Sequence, residues 1–233
     1  MATPKSQCAR IVAYAKDDGE IPNILSEMAT VLTRTGSIQI HKDVLTSTSD
    51  FLRNAIKPQW RRDGVLQADL AEEDPGAMHA YCQWLYSRKP LTLSPSNDTA
   101  VHLARLYVLG EKLMDKTFQE AAIDAIIDNA SESNAIYVAR NMIKIIYDGT
   151  PKGSPARRLM VDLCAYSAAT APGSTTMALL RGTDFFEELV PALIKVRAIP
   201  SARVQRPRIA QPETYYCHGT SVQSTKTSRQ FLT

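Results

Sequence analysis

A small β-sheet flanked by a cluster of α-helices and followed by an α-helical extension, an α+β fold, is what this sequence predicts. Three observations predict it. The runs MATVLT (28–33) and SIQI (37–40), joined by the tight turn RTG, and the run VLQADL (65–70) have the alternation or β-branched content of half-buried strands. Longer stretches from Asp74 onward repeat apolar residues every three or four positions behind cap-type residues, the pattern of helices that bury one face. Hydrophobic residues at 44% and charged residues at 22% of the 233 sit near globular averages, which argues against wholesale disorder or a coiled-coil rod.

Residues 1–25 hold one apolar stretch, ARIVAYAK, short enough for a helix or a strand, and then the turn chemistry of DDGEIPN. The pattern clears from Ser26. Ile38 and Ile40 alternate with Gln39, so residues 28–40 read as a hairpin with one buried face. HKDVL predicts a helix of one or two turns from about Lys42, a break among Thr46 to Ser49, and a second helix, FLRNAI, capped by Ser49 or Asp50. KPQWRRDG (57–64) is a polar loop, and VLQADL is a third strand with Leu66 and Leu70 inward. Asp74 followed by Pro75 is an N-cap with proline at the first helical position, and Met78, Tyr81, Cys82 and Leu85 form the buried stripe behind it. LTL (91–93) reads as one more short strand.

DTAVHLARLYVLGEKLMD starts from a cap at Asp98 or Thr99, with Leu103, Leu106, Gly110 and Leu113 on one face. TFQEAAIDAIIDNA presents Phe118, Ala122, Ala125 and Ile126, and spaces Thr117 and Glu120 as a capping box. Gly110 in mid-helix costs about 1 kcal/mol relative to alanine, which points to a close packing contact. These parts make a domain of about residues 26–130. In the helical extension of 131–198, Ser154-Pro155 starts a helix striped by Leu159, Leu163 and Tyr166. Thr183 or Asp184 caps FFEELVPALIKV, with Phe185, Leu189, Leu193 and Val196 inward and Pro191 expected to kink it. Residues 199–233 are polar and read as a disordered tail.

Charge and ligand chemistry exclude several functions. From Ser201 to Thr233 five basic residues face Glu213 alone, a net of +4, so the total of +3 leaves the first 200 residues at −1. A near-neutral globule with a mildly basic tail lacks the clustered cationic face of a direct nucleic-acid binder. Cys8, Cys82, Cys164 and Cys217 include no CxxC pair, and His41, His79, His102 and His218 add no zinc spacing, so neither a metal nor a cofactor is expected. No run approaches the roughly 18 apolar residues of a membrane span, and an intracellular setting, cytoplasm or nucleus, is the expectation.

IQIHKDVL (38–45) crowds His41, Lys42 and Asp43 as a catalytic triplet would. Residues two apart face each other in neither a strand nor a helix, and no nucleophile motif, phosphate loop or paired carboxylate accompanies them. His41 is therefore expected to be half-buried and bonded to backbone at a strand-to-helix joint, Lys42 solvated, and Asp43 a first-turn acid. No enzyme is read from the chain. Trp60 with Arg61 and Arg62 is the surface candidate for protein contact, because tryptophan and arginine dominate interface hot spots; the other reading folds Trp60 back over residues 51–56.

The order of these parts resembles a BTB/POZ domain. SIQIHKDVLTSTSDFLRNAI resembles that family's V-H-K-x-x-L…S-x-F/Y-F signature at Ile40, His41, Lys42, Leu45, Ser49, Phe51 and Leu52. DPGAMHAYCQWLYS is similar to its D-P-x-x-F…W-L-Y-T stretch, with Leu85 and Tyr86 in the last part, and LARLYVLGEKLMDKTFQEAAIDAI to its L-x-x-L-Y-x-L-A-D-K segment. The stretch from IYDGTPKGSPARRLMVDLCAY to FFEELVPALIKVR resembles the C-terminal part of short fungal BTB proteins. The resemblance implies a protein–protein interaction module, a scaffold or adaptor, and a homodimer formed through its helical side. It also implies two alternatives: a substrate adaptor of a cullin-type ubiquitin ligase, or a transcription-associated regulator acting through a partner protein. Family members that bind cullin scaffolds often place apolar-x-Glu after the FLRNAI position. Trp60-Arg61-Arg62 puts an arginine where the acid stands, which weakens the cullin reading.

Overall fold

A computed structural model of the chain describes residues 24–57, 59, 64–91, 97–132, 140–166, 182–197 and 215–216. Among them are three strands, β1 (Met28–Thr33), β2 (Gly36–His41) and β3 (Leu66–Asp69), and eight helices. The helices are α1 (Lys42–Leu45), α2 (Asp50–Ala55), α3 (Pro75–Ser87), α4 (Asn97–Lys112), α5 (Lys116–Glu132), α6 (Arg140–Gly149), α7 (Pro155–Tyr166) and α8 (Asp184–Arg197). The sheet order is β2-β1-β3. β1 runs antiparallel to β2, with Val31 opposite Ile38, and parallel to β3, with Val31 opposite Ala68. The fold is α+β and mostly helical.

Alternation decides which face of the sheet is covered. Ala29, Val31, Ile40, Leu66 and Ala68 are buried, whereas Met28, Gln39 and Asp69 point to solvent. Leu66 and Leu70 lie inward as the sequence predicts. Behind the sheet, Tyr81 and Trp84 of α3 close on Phe118 of α5, with ring centroids 4.8 and 5.0 Å from it. α4 packs against α3, α5 and α6, and α8 packs against α7, so one buried cluster runs from Ala29 to Tyr215. Arg157 ties the far end together: its nearly buried guanidinium lies over the Tyr147 ring and donates to the carbonyls of Tyr147 and Thr150.

Several local expectations need correction. α4 begins at Asn97, so Asp98 and Thr99 occupy its first turn and do not cap it; the row of cap-type residues SPSNDT leaves the start ambiguous in sequence. α5 is capped by Asp115, whose Oδ1 accepts from Phe118 N at 3.0 Å, and not by Thr117. The reason lies in the preceding turn. Met114, left-handed at φ 52°, closes α4 with bonds from Met114 N to Glu111 O and from Asp115 N to Gly110 O. That places Asp115 one residue before the helix. Leu91 lies in no strand, and residues 92 and 93 fall outside the described residues. By contrast Thr183, one of the two expected caps, stands immediately before α8, and its carbonyl accepts from Phe186 N and Glu187 N; Pro191 lies inside the helix. Of the stretch read as a tail, Tyr215 and Tyr216 are described, and Tyr215 is 1% exposed, so that reading does not extend to these two positions.

Gly110 sits where α4 meets the start of α5. A β-carbon there would lie 2.9 Å from Gln119 Cγ, 3.2 Å from Phe118 Cδ1 and 3.3 Å from Gln119 N. Gly110→Ala gains about 1 kcal/mol of helix propensity but forces this contact apart at a cost of about 1–3 kcal/mol. We expect a net loss of about 1 kcal/mol in urea unfolding; an unchanged or higher midpoint contradicts the close approach.

Candidate interaction surface

β2 passes directly into α1 at His41, and the joint is held from two sides. The Tyr86 hydroxyl, on α3, accepts from the His41 backbone N–H at 3.2 Å and lies 2.8 Å from His41 Nδ1. The one hydroxyl thus engages both the backbone and the ring of His41. His41 is half-buried as expected, but its ring bonds to a side chain and not to backbone. Lys42 is not simply solvated: its ammonium pairs with Glu27 at 3.3 Å, while its backbone N–H donates to the Glu27 carbonyl. Asp43 N–H donates to Ser26 Oγ at 3.1 Å, and Asp43 is the first-turn acid.

The break TSTS (46–49) uses every hydroxyl. Thr46 donates to the Lys42 carbonyl, and Ser47 donates to that of Val44 and accepts from Arg88. Thr48 donates to Asp115 Oδ2 at 2.5 Å. Ser49, fully buried, donates to the Leu113 carbonyl and accepts from Leu52 N, so it caps α2 while reaching the end of α4. Asp115, also fully buried, takes a further bond from the Tyr81 hydroxyl at 2.8 Å. Burial, and then the neighbouring Asp115 charge, hold the Tyr81 phenol well above its ordinary pKa, so it stays a donor.

Of the residues singled out in sequence, Ile40, Leu45 and Leu85 are core, and His41 and Tyr86 meet. Phe51 does neither: 38% exposed, it lines an open groove of about 560 Å³ between α2 and β3 with Asn54, Ala55, Lys57, Gln59, Gln67 and Asp69. Trp60, Arg61 and Arg62 lie outside the described residues; Gln59 on the groove's rim immediately precedes them. Asp115 was missed as a structural centre. Its signal was available, an acid three residues before Phe118, but Thr117 offered a competing cap.

No family model and no curated protein matches this chain. Among the described residues no group of three or more His, Cys, Asp or Glu is placed to hold a metal ion, and no helix is long and apolar enough to cross a membrane. Burial pushes the Cys82 thiol up to about 11 and the Cys164 thiol to about 12, so both stay protonated and unreactive at neutral pH. What this region presents is a groove between two braced elements, with one aromatic face and amide, ammonium and carboxylate groups along it. Such a surface suits an extended polypeptide better than a small enclosed ligand.

Tyr86→Phe tests the joint. Removing the hydroxyl deprives the His41 amide of its acceptor, and we expect faster exchange of that amide and a loss of about 1 kcal/mol. Unchanged exchange at His41 contradicts the bond.

Proposed function

We propose that this chain is a BTB/POZ-like protein–protein interaction module, a scaffold or adaptor with no catalytic activity of its own. One observation supports the reading most: the three sequence blocks that resemble the family are bonded to one another, with His41, Ser49 and Tyr86 of the signature among the residues that make the bonds. His41 of the first meets Tyr86 of the second, Ser49 and Thr48 of the first reach Leu113 and Asp115 of the third, and Tyr81 of the second donates to Asp115. The order β2-β1-β3 and the helices behind it agree with a small sheet beside a helical cluster. The groove at Phe51, whose lining includes Gln59, the residue before Trp60 in the sequence, is the surface we assign to a protein partner.

Self-association is the behaviour to measure first. Light scattering of the purified chain from about 1 to 100 μM brackets micromolar association. We expect the mass to rise from 25.7 kDa toward twice that value. A mass fixed at one chain over the whole range removes self-association from the reading.

A further inference from the structure

Two residues from far along the chain lie on the helical face built by α5 and α7. Tyr215 is 1% exposed, and its hydroxyl donates to Asp162 Oδ2 at 2.6 Å. Tyr216, partly buried against the core, donates to Asp124 Oδ1 at 3.1 Å. Asp124 belongs to α5 and Asp162 to α7, so two adjacent phenols bridge two helices. Burial raises the Asp162 carboxyl above its ordinary range, while the Tyr215 hydroxyl, Arg158 and Lys195 act to lower it.

Seventeen residues, 198–214, separate α8 from Tyr215 in the sequence. The contacts that the described residues show for the chain beyond α8 are those of Tyr215 and Tyr216. Those contacts have the form of a built peptide site: an enclosed space for one aromatic ring, and a carboxylate acceptor for each of two neighbouring hydroxyls.

We propose that the α5–α7 face is a recognition site for a paired-tyrosine segment. It is filled in cis by Tyr215 and Tyr216, and takes the same segment supplied from outside when its own is weakened. The site selects free phenols. A phosphate on either oxygen removes the donor and sets added negative charge against Asp162 or Asp124. This inference uses only α5, α7 and the two tyrosines, and stands whether or not the BTB/POZ-like reading holds.

The test uses the full chain carrying Tyr215→Ala and Tyr216→Ala, titrated with a fluorescein-labelled, amidated peptide of residues 209–216, IAQPETYY. We expect saturable binding to this variant and binding weaker by about tenfold or more to the unaltered chain, whose own segment competes at high effective concentration. Adding Asp162→Asn to the variant should weaken the peptide by about fivefold, since a neutral acceptor replaces a charged one. Phosphorylation of the peptide at the Tyr215 position should weaken it by about tenfold or more. Equal binding to the variant and the unaltered chain, or equal binding of the phosphorylated peptide, overturns the proposal. Should the double alanine variant fail to fold by circular dichroism, Tyr215→Phe with Tyr216→Phe keeps both rings. The peptide must then bind this chain more tightly than the unaltered one, and no gain overturns the proposal.

Discussion

The carboxylate of Asp115 is the constraint on which the rest depends. An ionised group with no exposure costs several kcal/mol to desolvate, and it is tolerated only when its lone pairs are filled. Three donors fill them here: the Thr48 hydroxyl, the Tyr81 hydroxyl and the Phe118 backbone N–H. Each comes from a different element, so a single residue fixes the loop behind α1, the middle of α3 and the first turn of α5 in one arrangement. Ser49 adds a parallel tie to the Leu113 carbonyl one turn away.

From that point the surface follows. With residues 46–49 anchored, α1 and α2 hold fixed positions, His41 meets Tyr86, and Phe51 is turned toward β3 on the groove's open side. Thr48, Ser49 and Tyr81 all serve as braces in the interior around Asp115. The far end is built in the same manner, with Arg157 and the two carboxylates Asp124 and Asp162 replacing Asp115 as polar centres.

Much of this was legible in the sequence because local rules and packing agree. Strand β1, the Asp74 cap, a cap at Ser49 or Asp50 that proves to be Ser49, the inward Leu66 and Leu70, and the close contact at Gly110 all follow from residue type and spacing. The exceptions share a cause. Asp115 lost to Thr117 because the left-handed Met114 that sets the turn is a non-glycine residue with no sequence signature. His41 was assigned a backbone partner because Tyr86 lies 45 positions away, and no periodicity links a strand end to the exposed face of a distant helix. Tyr215 looked like part of a polar tail because two aromatic residues are too short a run to register as an element, although they have carboxylates to meet on α5 and α7. Side-chain bonds between distant elements are what spacing arguments do not reach.

A double-mutant cycle probes the Asp115 centre most directly. Thr48→Val and Tyr81→Phe each remove one donor to the same carboxylate oxygen, nearly without change of shape, and unfolding free energies of both single variants and the double variant close the cycle. Donors that share one buried acceptor should couple, with an interaction energy of about 0.5–3 kcal/mol. Additivity within about 0.3–0.5 kcal/mol would mean that the two hydroxyls act independently, and that Asp115 does not join the loop to α3.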